Sequence, residues 1–179
     1  MMDFPPLHLE PPQTTHTHTA ILLHGRGSNG PEFAEELFSS KTSRANNLPE
    51  CLPTWRWVFP TARYRWAAAF EEEICAWFDA YSLTDIQERQ ELQIEGLRES
   101  VARILGILEA EIALLDGDAS RVYLGGYQPG QQARQVLEEV VDHLEWLEYS
   151  QAENEGHWIK EPEGFDRILV FLEAASGDE

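Results

Sequence analysis

Hydrophobic residues recur along the chain with two different periods, and the switches between them mark out alternating strands and helices. Residues 1–15 show neither period and hold four of the ten prolines, so they read as an extended lead-in, with regular structure starting after them. His16 to Gly25, HTHTAILLHG, alternates and then becomes continuously apolar before a glycine-rich turn, as a central strand does. GPEFAEELFSS follows as a helix with Phe33, Leu37 and Phe38 on one side. Trp55 to Pro60, WRWVFP, is a second strand stopped by proline. From about Gln87 to Leu115, Leu97, Val101, Ile104, Leu105, Leu108, Ile112 and Leu115 recur at helical spacing, which predicts a long helix laid on a sheet. The charged face of that helix, with Glu95, Arg98, Glu99 and Arg103, reads as solvated surface. GDAS ends the helix, and Arg121 to Gly126, RVYLGG, predicts the third strand. Gln131 to Val141 predicts another helix, HLEWLEYS a fourth strand, and Phe165, Ile168, Leu169 and Leu172 a closing helix. Strands alternating with helices imply an α/β domain over 16–179, with a mainly parallel sheet of about four strands and helices on both faces.

Composition narrows the class without naming a reaction. A chain of 179 residues suits one domain with a real core, and 42% hydrophobic with 25% charged residues excludes disorder and collagen-like repeats. Thirty-two acidic against 13 basic residues give a net charge of -19, with no Lys/Arg stripe for phosphate backbones, so nucleic acid is excluded as a partner. Cys51 and Cys75 lack CxxC spacing, which argues for reduced thiols and against a zinc site or disulfide framework. The first residues have neither a basic stretch nor an apolar one of the kind that directs export, and no transmembrane segment is expected. These features predict a cytoplasmic protein. His16 and His18 share a strand face and could be imagined as metal ligands with His24, but no acidic or cysteine partner follows at ligand spacing. No metal is expected.

Chemistry in such folds gathers at the carboxyl ends of strands. LLHGRGSNG, residues 22–30, resembles the strand-end His-Gly loop of the acyl-protein thioesterase and carboxylesterase family of α/β-hydrolases. VFPTARYRW and CAWFDAYSL resemble that family's middle section. IEGLRESVARILGILEAEIALLDGDASRVYLGG resembles its long helix and the strand leading to its nucleophile. EYSQAENEGHWIKEPEGF, with Gly156-His157-Trp158, resembles the loop that bears its catalytic histidine. The resemblance implies hydrolysis of acyl esters and thioesters through an acyl-serine, without a cofactor. It also implies an oxyanion loop at His24, Gly25 and Arg26, whose backbone N–H at Arg26 would face the developing charge. The aromatic group of Trp55, Trp57, Phe59, Tyr64, Trp66, Phe70, Trp77, Phe78 and Tyr81 would either line an acyl site or pack the core.

The pattern departs from the family where the chemistry should be. The family's G-x-S-x-G turn reads here Gly126-Tyr127-Gln128-Pro129-Gly130, so Gln128 stands at the nucleophile position and its amide cannot attack a carbonyl. Pro129 has no N–H to offer as the second oxyanion donor, and it restrains Gln128 as well. GQQARQVLEEV then resembles the family's helix after the catalytic aspartate, which implies that several tens of residues are missing. Asp142 lies on the wrong side of that helix and reads as a solvated helix-end residue. Of the triad only His157 remains. Ser28, Ser120 and Ser150 sit in no elbow motif and read as turn or capping residues. The expected outcome is a catalytically dead remnant, or alternatively a pseudoenzyme that binds an acyl group, a lipid or an acylated protein. Loss of two strands would leave uncovered surface and a tendency to self-association.

Overall fold

The computed structural model describes residues 4–82, 85, 88–126 and 158–177. Its centre is a four-stranded sheet in the order β1-β3-β2-β6. The strands are β1 (His8–Glu10), β2 (His18–Leu23), β3 (Trp55–Phe59) and β6 (Val122–Gly126). β2 runs parallel to both β3 and β6, while β1 is antiparallel to β3. A separate hairpin joins β4 (Tyr64–Ala67) to β5 (Glu72–Cys75). The helices are α1 (Gly30–Ser39), the short α2 (Leu48–Cys51), α3 (Glu91–Leu114) and α4 (Glu163–Ser176). The expected α/β class and mainly parallel sheet are therefore present.

Alternation within the strands separates two cores. Trp55, Trp57 and Phe59 of β3 and Ala20 of β2 face α1 and α4, where Phe33, Leu37, Phe165, Leu169 and Leu172 close over them. Trp57 meets Phe38 edge-on at 5.6 Å between ring centroids, and Phe33 meets Phe59 the same way at 5.9 Å. Ile21 and Val58 point the other way, onto Ile104 and Ile107 of α3. Helices thus cover both faces of the sheet.

Three expectations need correction. Regular structure begins at His8, inside the lead-in: His8, Leu9 and Glu10 pair with Phe59, Val58 and Trp57. Three residues between prolines are too few to show a period, and the segment is ordered by β3 instead. The second correction concerns α3. Its buried line is Gln93, Gly96, Ser100, Ile104, Ile107 and Glu111; of the expected stripe Ile104 and Leu115 are buried, whereas Leu97, Val101, Leu105, Leu108 and Ile112 are only half-buried beside that line. Close approach and polar pairing decide that face. Gly96 lies against Phe78 and the Arg65 guanidinium, Ser100 donates its hydroxyl to the Trp77 carbonyl, and Glu111 pairs with Arg56 of β3 at 3.0 Å. Thr19 of β2 also donates to Glu111, at 3.2 Å. The third is Glu99, which is only partly solvated: it holds Arg63 at 2.8 Å and Arg65 at 3.4 Å and ties the hairpin to α3.

The fourth strand of this sheet is β1. The strand expected over HLEWLEYS and the helix expected over Gln131 to Val141 lie outside the described residues. The closing helix is found as α4, with Phe165, Leu169 and Leu172 buried as expected.

Candidate active-site edge

The three parallel strands end level with one another, since Leu23 pairs with Gly126 and Ile21 with Val58. Their carboxyl ends open onto the loop from His24 to Asn29, the segment after Phe59 and the end of β5. His24 is 1% exposed and acts as the brace of this edge. Its Nε2 accepts the Ala62 N–H at 3.0 Å, so the ring proton sits on Nδ1 and is donated to the Gly25 carbonyl at 2.6 Å. Burial pushes the His24 pKa below its ordinary 6.5, consistent with a neutral ring that accepts at Nε2. Trp77 donates its indole N–H to the His24 carbonyl at 2.8 Å, and the two rings lie 5.0 Å apart.

The rest of the loop is fixed by backbone bonds to its neighbours. Gly27, with φ of 83°, occupies the left-handed region that favours glycine, and its N–H donates to the Cys75 carbonyl at 2.8 Å. Gly30 starts α1 with its N–H on Thr61 Oγ1 at 3.0 Å, and a Cβ there would lie 2.4 Å from the Phe59 carbonyl oxygen. Asn29 caps α1 by accepting the Glu32 N–H at 3.0 Å. Among the described residues the Arg26 N–H has no acceptor. The Arg26 guanidinium lies over the Phe78 ring, 5.9 Å from its centroid. Cys75, 3% exposed, donates its thiol to the Ala62 carbonyl at 3.3 Å, and burial pushes its pKa up to about 11.

The remaining candidates scatter. His18 stacks on Trp55 at 5.0 Å at the start of β2, and His16 bonds Thr19 at 2.9 Å. His24 follows the other end of that strand, roughly 20 Å away at ordinary strand rise, so the three histidines do not converge. Ser120 lies at the amino edge with its hydroxyl donated to Asp118 at 2.6 Å, away from the loop that gathers at the carboxyl ends. Ser28 is in that loop, with its N–H donated to the Gly25 carbonyl at 3.3 Å and its hydroxyl making a long 3.5 Å contact to the Asn29 carbonyl. The aromatic group divides. Trp55, Trp57 and Phe59 are core, Trp77 and Phe78 are half-buried, and Tyr64, Trp66, Phe70 and Tyr81 are exposed. Gln128, Pro129, Asp142, Ser150 and His157 lie outside the described residues. Trp158, which follows His157, packs edge-on against Phe33 at 6.1 Å and donates to Ser40 Oγ at 3.4 Å. What the sequence did not foretell is the bracing role of the His24 ring and its partners Ala62, Cys75 and Trp77, because those residues meet only through folding.

Residues 6–138 match the family model described as phospholipase/carboxylesterase. The chain belongs to that family. The crystal structure of acyl-protein thioesterase 2 from Zea mays is similar to it, with 28% identity, a TM-score of 0.51 and coverage of 69% of this chain and 46% of that one. The crystal structure of SOBER1 from Arabidopsis thaliana has 24% identity and a TM-score of 0.43, covering 62% of this chain and 49% of that one. This family member thus spans about half the length of the solved relatives it matches. No curated protein matches it. The sheet is accordingly a reduced α/β-hydrolase-like one. Among the described residues no helix is long and apolar enough to cross a membrane.

Proposed function

We propose that this chain is a catalytically silent member of its family, shortened internally between β6 and the closing helix, that keeps the strand-end loop and can hold an acyl group without turning it over. The observation that carries this is the placement of Gly126. It ends β6 beside Leu23, at the same edge as the His24 loop, and the residues that follow it are Tyr127, Gln128, Pro129 and Gly130. A nucleophile elbow belongs at that strand end, and the family match runs through it, which supports reading Gln128 at the serine position. Without a hydroxyl there, with proline in place of the second oxyanion donor and without an aspartate to orient His157, no acyl-enzyme can form. Losing one oxyanion donor alone costs a hundredfold or more in rate.

The braced loop supports the binding half of the reading. His24 and Gly25 hold Arg26 at the edge with its N–H unaccepted by any described residue, as an oxyanion-loop donor would be placed. The ligand class follows from the relatives, one of which is by name an acyl-protein thioesterase: a fatty acyl group, a lipid or an acylated protein. Two free thiols, one buried and one half-buried, support a reducing, cytoplasmic setting. The test is hydrolysis of a short-chain chromogenic ester by monodisperse protein, together with labelling by a serine-reactive phosphonate. No turnover and no label from a cooperatively unfolding sample is expected, and Gln128→Ser is expected to remain silent because Pro129 still lacks its N–H. Turnover with labelling of the unaltered chain would overturn the reading and reveal a substitute nucleophile.

A further inference from the structure

We propose that the Arg26 side chain is an anion-holding group at the carboxyl edge, shaped to receive a carboxylate of the kind that ends a free acyl chain. The inference rests on the acyl-binding half of the proposed function and names the charged end of the ligand.

Three observations lead to it. The first is an orphaned donor: Arg26 Nη1 is withdrawn from solvent and has no hydrogen-bond partner among the described residues. A guanidinium has only donors, and a buried charged donor left without an acceptor is costlier than a neutral one. Trp55 and Trp57 also keep buried indole N–H groups without a partner, inside the aromatic core, but Arg26 alone of the three carries a charge and stands at a strand-end loop where a ligand could supply the acceptor. The second is position. Arg26 sits in the braced loop where the parallel strands end, the place where ligands of α/β sheets bind. The guanidinium carbon lies over the Phe78 ring, which fills that side, and a planar carboxylate suits the guanidinium fork because it can accept two parallel bonds.

The third is the charge around it. Arg63 and Arg65, on the segment after β3, are both held by Glu99, whereas Arg26 makes no ion pair among the described residues. Asp79, whose charge Arg26 senses, has one carboxylate oxygen engaged by the Ala68 N–H at 3.0 Å. Burial pushes the guanidinium below its ordinary value, although it remains a cation at neutral pH. Asp79 already balances part of the charge from a distance, and an incoming carboxylate would add the direct acceptor that Nη1 lacks. The backbone N–H of the same residue lies on the same loop and also has no described acceptor, so both groups of Arg26 are available to oxygen.

Calorimetric titration of the full chain at pH 7 with octanoate, octanol and inorganic phosphate tests the assignment, using the unaltered protein, Arg26→Gln and Arg26→Lys. Octanoate should bind at least about tenfold more tightly than octanol, and Arg26→Gln should lose about tenfold of the octanoate affinity while leaving octanol unchanged. Arg26→Lys keeps the charge without the fork and should fall between the two. The unfolding midpoint of Arg26→Gln should equal or exceed that of the unaltered chain, because the variant removes a half-buried cation whose withdrawn Nη1 lacks an acceptor. Equal binding of octanoate and octanol, or octanoate binding indifferent to Arg26→Gln, would overturn the carboxylate assignment and leave acyl binding standing. Arg26-dependent binding of phosphate alone would overturn it in favour of a phosphate-type anion. Binding of neither octanoate nor octanol would overturn the acyl reading and this inference together.

Discussion

The two faces of the central sheet are built on opposite principles. The α1 and α4 face is an aromatic core in which Trp55 stacks on Trp57, Phe33 meets Phe59 and Phe38 meets both Trp57 and Phe59 edge-on, and Phe165 is fully buried among them. The α3 face has a smaller aliphatic patch of Ile21, Val58, Ile104 and Ile107, and around it the helix is held by Glu111, Ser100 and Gly96. The difference teaches that burial is legible from hydrophobic spacing only where hydrophobic contact is what fixes the helix. On the α3 face a charge pair and two small residues set the rotation, and the leucines are left half-covered.

Substitutions on the two faces sharpen that contrast. Phe165→Ala on α4 should cost about 4 kcal/mol in chemical denaturation, because a fully buried ring leaves a void between α4 and β3. Ile107→Ala on α3 should cost less, about 2 kcal/mol. Equal losses would break the comparison and make the two cores equivalent. Glu111→Ala should cost about 3 kcal/mol by leaving Arg56 without its partner in a largely buried site. Replacing both partners by apolar residues of similar volume, Glu111→Met with Arg56→Met, should recover most of that loss. A single variant as stable as the parent would show that the aliphatic patch alone fixes α3.

Effects at the carboxyl edge are smaller and read out by titration. His24 has its pKa lowered by burial, so the unfolded chain takes up the proton first as pH falls. Its contribution to stability is complete above about pH 6.5 and is lost progressively below that value, down through the lower folded pKa. His16, also lowered, acts in the same direction. Unfolding midpoints measured from pH 8 to pH 5 should therefore decline at the acid end, and His24→Asn should flatten part of the decline. An unchanged slope in that variant would remove His24 from its bracing role. The mildest probe is thiol labelling in native buffer. Cys51, half-buried, should react well before Cys75, whose thiol is 3% exposed with a pKa near 11. Simultaneous labelling would mean that the hairpin opens away from the His24 loop.

By itself the sequence determined the parts whose period is long enough to read and whose burial is hydrophobic. Those are β2, β3 and β6, the helices α1 and α4 with Phe33, Leu37, Phe165, Leu169 and Leu172 turned inward, and the family, through LLHGRGSNG and the segments that follow it. It also supplies the ground for the proposed departure at Gln128 and Pro129, whose identities hold neither a hydroxyl nor, at Pro129, an N–H. Only the tertiary structure decided the rest. β1 is a strand because β3 offers it a free edge, and three residues between prolines have no period of their own. The face of α3 is set by Arg56, Trp77 and Phe78, which are distant in the chain. The His24 ring becomes a brace, and Arg26 Nη1 a withdrawn donor without a described partner, only when β2, β5 and the segment after β3 are brought to one edge. Spacing along a chain reports contacts between near neighbours, whereas these arise from surfaces that meet after folding.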